Sequence, residues 1–411
     1  MSAGLLSSPA AGVGGGEAAA QLYDGSGFRL VREPLPALGP GEALIEVELA
    51  TLCGSDLHTL AGHRSTPLPT VLGHEAVGRV VALGAERPGA EHHPALDGVR
   101  SPFARSGGPG AGPGTGTGTA ASGTGVPGAA GGDAPPIAVG DRVTWTVAAS
   151  CGACDRCLGG LEQKCRSLLK YGHEAVSEAW RLNGGLATHV HLLAGTTLAR
   201  VPETLPAALL APANCATATV AAAARRVGLS AGDAVVVVGC GLLGLTAVAY
   251  ARWLGAASVV AVDVDAARRA LALEFGADRV CAPSELAAAA GARGASVVLE
   301  LSGHPTGVEQ AVAVAEVGAR VALVGSVSEG ATTVILDPAV IVRRMLSVVG
   351  SHNYGALDLF SAVDFLGWVG ADPALTAAFT AAVSPAFELA ELPAALVAAR
   401  GGRWARVALR P

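Results

Sequence analysis

Four of the chain's 8 cysteines, Cys151, Cys154, Cys157 and Cys165, fall together with the spacing C-x2-C-x2-C-x7-C. Spacings this short let thiolates converge on one ion, and four sulfurs close a tetrahedral shell with no vacancy for a substrate. Disulfides and an iron–sulfur cluster are the competing uses of such a cluster. A bacterial ferredoxin run places its fourth cysteine about four residues on and follows it with proline. Here the fourth comes eight residues after the third and is followed by Arg166, so the spacing points to a structural zinc.

A sparser set lies upstream. Cys53-Gly54-Ser55-Asp56-Leu57-His58 and Gly73-His74-Glu75 gather thiol, hydroxyl, carboxylate and imidazole groups in two short runs. A catalytic zinc takes thiolate and imidazole ligands and keeps one position open for a substrate oxygen. Cys53 and His74 supply those two ligand types. Alone, one cysteine and one histidine separated by so much chain would be as readily explained by packing.

The third constellation is Gly239-Cys240-Gly241-Leu242-Leu243-Gly244, a G-x-G-x-x-G motif. With 56 glycines in the chain the motif alone is weak, and its context strengthens it. It follows a β-branched run, Val235–Val238, opens a helical stretch, and precedes a second strand that ends at Asp263. Glycines at Gly239, Gly241 and Gly244 serve the tight turn, the approach of a pyrophosphate and helix–strand packing, while the amides around Leu242 and Leu243 face the phosphates. Asp263, about 20 residues past the motif, sits where a carboxylate accepts the ribose hydroxyls of NAD and repels a 2′-phosphate. Arg268 and Arg269 in the next helix leave room for some tolerance of NADP.

These groups need elements to hold them. Ala43–Leu52 alternates like a strand and delivers Cys53, and Val77–Leu83 and the stretch Ile137–Val147 read as further strands of one barrel. Between them, residues 85–136 are dominated by Gly, Pro, Ala, Thr and Ser. That composition cannot offset its ordering entropy by burial, so it reads as a disordered surface insertion. From Asp233 onward strands and helices alternate: Val235–Val238, helix Leu242–Leu254, Ser258–Val262, helix Asp265–Phe275, Ser296–Leu301, Arg320–Val324 and Leu346–Val349. Apolar strands separated by helices predict a parallel sheet covered on both faces. A last strand, Ala405–Leu409, is free to return to the first domain. The division is a flexible N-terminus (1–26), a catalytic domain (27–210) with its insertion (85–136) and cysteine lobe (151–165), a cofactor domain (211–345), and a return (346–411).

Composition excludes several alternatives. A net charge of -6 gives no electrostatic case for nucleic acid or an anionic membrane surface. Hydrophobic residues at 51% and charged residues at 15% favour a compact protein over a disordered one. Apolar runs such as Ala234–Leu245 are broken by glycine and fall short of the roughly 20 residues a membrane helix needs. The opening stretch, Met1 to Ser26, has no basic flank and no sustained apolar core, so it does not read as a secretory signal. A cytoplasmic location is expected.

Taken together, LCGSDLH, VLGHEAVGRVVALG, the four-cysteine lobe, VVVVGCGLLGL and VVAVD resemble the zinc-containing medium-chain alcohol dehydrogenases. Leaving aside the N-terminal stretch and the insertion, the likeness runs along nearly the whole chain. It implies an α/β protein: a GroES-like β-barrel catalytic domain, a Rossmann cofactor domain with a doubly wound parallel sheet, and a cleft between them. It also implies two zinc ions per chain, NAD, a small alcohol or aldehyde substrate, and a homodimer or homotetramer. On this resemblance Cys53 and His74 hold catalytic zinc, Ser55 takes the substrate's proton, His58 passes it outward, and Asp56 hydrogen-bonds the far nitrogen of His74. The family usually has another ligand just before the long helix entering the cofactor domain, and Ala211 aligns there. Glu75, Cys215 or water is left to complete the shell.

More narrowly, VTWTVAASCGACDRCLGGLEQKC, LLKYGHE and LAPANCATATVAAA resemble dehydrogenases proposed to accompany phosphonate catabolism. A buried phosphonate would need cations or amide donors. Lys170, His173, His63 and Arg64 are available, and each is equally explained as solvated loop polarity. Three rivals have discriminating features. A zinc-independent enone reductase on this fold lacks the Cys/His set and the lobe. A polyol or threonine-type secondary-alcohol dehydrogenase shares them. A non-catalytic NAD sensor, suggested by Ala211, would retain zinc only in the lobe.

Overall fold

The computed structural model describes residues 16–85, 136–327 and 333–411. Strand Ala43–Leu52 is the spine of the first domain. Its alternation is visible as exposure of Glu46 between buried neighbours. It pairs antiparallel with Glu75–Leu83 on one side, and with His189–Leu192 and Val407–Arg410 on the other. Arg142–Trp145 and Leu198–Arg200 extend the sheet beyond Glu75–Leu83. Trp145, Ile45 and Leu44 fill the barrel interior with almost no exposed surface.

The N-terminal expectation is corrected in part. Residues 1–15 lie outside the described residues, but Glu17–Tyr23, expected to be frayed, forms a strand paired with Phe28–Pro34 and Thr70–Val71. Ala18 and Ala20 are fully buried. Alternating small apolar residues fit a tight face where larger side chains would overpack, and in sequence they look like mere low complexity. The disordered insertion, expected over 85–136, falls almost wholly outside the described residues.

The cofactor domain carries a six-stranded sheet in the order Arg279–Cys281, Ser258–Val262, Ala234–Val238, Ala295–Glu300, Ala315–Leu323, Ser347–Gly350, with every pairing parallel. The chain starts in the middle, winds one way, then crosses back. This leaves a crevice at the carboxyl ends of Ala234–Val238 and Ala295–Glu300, where such sheets bind ligands. Helices Leu242–Trp253 and Ala216–Arg226 pack together on one face. The alanine-rich face of Ala216–Arg226 permits close approach.

The return to the barrel starts later than residue 346. Ser347–Gly350 completes the parallel sheet, and helix Ala356–Gly370 packs on Ala216–Arg226. Only at Phe387–Glu388 and Val407–Arg410 does the chain rejoin the first domain. The cysteine lobe docks on this crossing: Glu162 Oε1 accepts the Ala356 amide at the start of Ala356–Gly370. No single helix among the described residues is long and apolar enough to cross a membrane.

Candidate active site

Strand register assembles the first centre. Thr51 lies opposite Glu75 in the ladder, and Leu52 opposite Val407, so Cys53, Glu75 and Arg406 meet where three strands end. Cys53 leaves its strand as the N-cap of helix Gly54–Leu60. Asp56 closes that cap, its Oδ2 accepting the Cys53 amide at 2.8 Å. Gly73, at φ +90°, turns the chain into His74. Cys215 arrives from the other domain, in the break between the 3-10 turn Ala211–Asn214 and helix Ala216–Arg226, at φ −137°, ψ −80°.

The donor atoms of Cys53, His74, Glu75 and Cys215 all lie within 4.8 Å of one another. Cys53 Sγ is 3.8 Å from Cys215 Sγ. Ala211 is buried in the preceding turn, four residues before Cys215, whose sulfur lies within the donor cluster. Glu75 is otherwise engaged: both its oxygens accept from Arg406 Nε, at 3.0 and 2.7 Å, and Oε2 also accepts from Thr51 Oγ1 at 2.6 Å. Arg406 Nη2 reaches Cys53 Sγ at 3.6 Å. The Cys215 contact holds the Cys53 thiol well below its ordinary pKa, with Arg406 and His74 adding to the effect against burial. The same contact, then burial, pushes Cys215 up. One buried and one half-buried sulfur, an imidazole and a carboxylate form a donor set that fits a divalent ion of the zinc type.

Asp56 departs from expectation. Its Oδ1 stands 3.8 Å from His74 Nδ1, beyond hydrogen-bond reach, and both atoms lack partners. The carboxylate spends its other oxygen on the Cys53 amide, so it acts on His74 through charge. Ser55 Oγ is buried with no partner. His58 is exposed, its ring 5.9 Å from that of His63. His173 lies against the centre, its ring 5.0 Å from His74. Arg406, Thr51 and Tyr354 belong to no motif and went unnoticed in the sequence. Tyr354 Oη donates to the Asn214 carbonyl and accepts the Val147 amide at 2.9 Å, pinning the turn before Cys215. An arginine leading an apolar strand was the only available hint of Arg406.

The lobe brings Cys151, Cys154, Cys157 and Cys165 within the same 4.8 Å limit. Sulfur separations of 3.4, 3.5 and 4.0 Å exceed the about 2.05 Å of a disulfide. They bracket the about 3.8 Å edge of a tetrahedron built on Zn–S bonds of about 2.3 Å.

At the cofactor crevice the three glycines divide their work. Gly239 holds φ +94°, and a Cβ there would stand 2.8 Å from the Ser302 amide nitrogen; one on Gly244 would strike the Gly239 carbonyl. Gly241 differs: its Cβ would meet nothing within 4 Å, so its bareness faces open space in front of the first turn of helix Leu242–Trp253. The amides of Leu242, Leu243 and Gly244 belong to that turn, whose N–H groups lack intrahelical acceptors. Asp263 is buried beside them, accepting the Cys240 amide at 2.7 Å and the Asp265 amide at 2.8 Å. Arg269 Nη1 is spent on the Asp263 and Val264 carbonyls.

Comparison with known proteins agrees with this architecture. Residues 39–96 match the alcohol dehydrogenase GroES-like domain, and residues 243–368 match the zinc-binding dehydrogenase model. An L-threonine 3-dehydrogenase of Bacillus licheniformis is 30% identical over 311 residues, covering 72% of each chain. An alcohol dehydrogenase of Thermotoga maritima superposes with a TM-score of 0.78 at 23% identity, over 97% of this chain and all of that one. A protein described as a zinc-binding dehydrogenase of Sinorhizobium meliloti, solved bound to NADP, superposes with a TM-score of 0.73 at 25% identity, over 97% of this chain and all of that one.

Proposed function

The chain belongs to the zinc-dependent medium-chain alcohol dehydrogenase family, and from that premise we propose that it interconverts a small alcohol and its aldehyde or ketone with NAD, at a zinc held by Cys53, His74 and Cys215. One observation carries this reading: Cys215 closes on Cys53 and His74 while Glu75 is occupied by Arg406 and Thr51. Three protein ligands leave the fourth position for substrate, as a catalytic site requires. When bound, zinc polarises the substrate oxygen and lowers the alcohol's pKa, and NAD accepts the hydride. The unpartnered Ser55 hydroxyl receives the proton, and exposed His58 passes it to solvent. Asp56, its Oδ1 3.8 Å from His74 Nδ1, favours the tautomer that leaves the other ring nitrogen for the metal. Gly241 and the amides of Leu242, Leu243 and Gly244 seat the pyrophosphate, and Asp263 selects NAD over NADP through its carboxylate. Cys151, Cys154, Cys157 and Cys165 hold the second zinc.

The substrate is a phosphonate-bearing alcohol in this reading, which rests on the narrower resemblance of the lobe and the KYGHE segment. A threonine-type substrate is the second reading, favoured by the Bacillus relative. The assembly is a homodimer or homotetramer: among the described residues strand Ser347–Gly350 is an edge of its sheet, and Met345, Val342 and Val317 near it are more than two-thirds exposed. Free thiols throughout suit a cytoplasmic location.

Metal analysis with an NADH-monitored alcohol screen tests the proposal. Wild type is expected to hold two zincs per chain. Cys53→Ser and Cys215→Ser each fall to one and lose alcohol oxidation, while Glu75→Gln keeps two. A Cys215→Ser protein with both zincs and full activity sinks the assignment.

A further inference from the structure

Beside the proposed zinc, the turn 170–173 is pressed against the segment that carries His74. Gly172, at φ +72°, comes so close that a Cβ would stand 2.6 Å from the Gly73 carbonyl oxygen. The turn is further held by the His173 amide on the Lys170 carbonyl at 3.2 Å and by the Gly172 amide on the Asn183 carbonyl at 2.8 Å. The backbone of Lys170 and His173 is therefore fixed in position relative to His74.

His173 is 7% exposed, and neither ring nitrogen has a hydrogen-bond partner. A buried polar group left unpaired costs about 1–3 kcal/mol, so an imidazole with two orphan nitrogens calls for a ligand. Lys170 is partly buried, and no ion pair among the described residues involves it or Arg64. Burial, then the Arg64 charge, bring the Lys170 ammonium down to about 8, while Cys215, Cys53 and Asp56 pull the other way. His352 is pushed down to about 4 by burial and by Lys164, Lys170 and Arg64. Lys164 Nζ lies 2.5 Å from His352 Nδ1.

The neighbouring acids each hold a hydrogen-bond donor, and Asp56 keeps Oδ1 unpartnered. Glu75 serves Arg406, Asp56 the Cys53 amide, Glu162 the Ala356 amide, and Glu174 Oε1 the Lys170 amide. Lys170 and His173 thus present an ammonium and an imidazole without side-chain partners among the described residues, beside the reacting centre.

We propose that Lys170 and His173 form a clamp for an anionic head, phosphonate or carboxylate, on the alcohol substrate. The inference rests on the dehydrogenase reading for its substrate, but the clamp can be read by binding alone.

The test is calorimetric titration of ethylphosphonate, propanoate and 1-propanol into zinc-loaded protein saturated with NAD. At least one anion is expected to bind about 10- to 100-fold more tightly than 1-propanol, the range of one or two charge-assisted hydrogen bonds. The preferred anion identifies the head group. Lys170→Met should remove most of that advantage at an unchanged unfolding midpoint, and Lys170→Arg should restore much of it. Anion binding within twofold of 1-propanol, or no loss in Lys170→Met, overturns the clamp. Alcohol oxidation and zinc content are measured in parallel. If anions bind through Lys170 and no alcohol is oxidised, the dehydrogenase reading fails while the clamp stands.

Discussion

Arg406 grips Glu75 across 331 residues of sequence, Nε standing 2.7 Å from Oε2 with both side chains buried. The pair ties the last strand of the chain to the strand that follows His74. The whole cofactor domain lies between its two partners in sequence. Arg406 also reaches Cys53, so the barrel closes around the metal donors with one buried cation.

Removing that cation strands a carboxylate. Arg406→Ala is expected to destabilise the protein by about 3–5 kcal/mol, the usual cost of leaving a buried charge unpaired. Adding Glu75→Gln should recover part of the loss, because the orphan charge is then gone. Urea unfolding of both variants decides this. An Arg406→Ala protein as stable as wild type would show that Glu75 finds other compensation.

The glycine motif gives a separable pair of outcomes. Gly244→Ala drives a methyl into the Gly239 carbonyl, so it is expected to cost about 1–3 kcal/mol by overpacking and to lower the unfolding midpoint. Gly241→Ala adds a methyl that meets no protein atom; its midpoint should hold while NADH affinity falls about tenfold or more. Fluorescence titration with NADH beside a thermal melt separates the two. Equal NADH affinity in Gly241→Ala and wild type would remove the pyrophosphate from this turn.

Local pattern was enough where the structure is local. The strand Ser258–Val262 and the helix after Gly241 follow from periodicity and glycine placement, and the short spacings between Cys151 and Cys165 already force their sulfurs together. The centre around Cys53 was legible in its local half, with Cys215 one of three candidates to complete it. Cys215 and Arg406 reach it through tertiary register, Cys215 from a helix break and Arg406 from an apolar strand, and neither position carries a spacing signal relative to Cys53. The face of Ala18 and Ala20 was hidden for the opposite reason: small residues fit a crowded interface and give a weak hydrophobic pattern. The boundary at 346 slipped because edge strand Ser347–Gly350 is brief, and helix Ala356–Gly370 completes the cofactor domain before the chain turns back.

Asp364, on helix Ala356–Gly370, offers a pH test away from both metal sites. Burial pushes its carboxyl from 3.8 up to about 6, and no cation offsets the shift. The folded state thus holds its proton more tightly than the unfolded chain. Stability from this group is lost as pH rises from about 4 through about 6, and the full penalty stands above that window. Asp364→Asn, neutral at every pH, should therefore be more stable than wild type at pH about 7.5, with the gap closing toward pH about 4. The gain will fall short of the full shift, since the carboxyl keeps part of its surface in water. Paired melts of the two proteins across this range check the sign. A constant gap at all pH values would trace the effect to packing, and a gap that widens on acidification would reverse the argument.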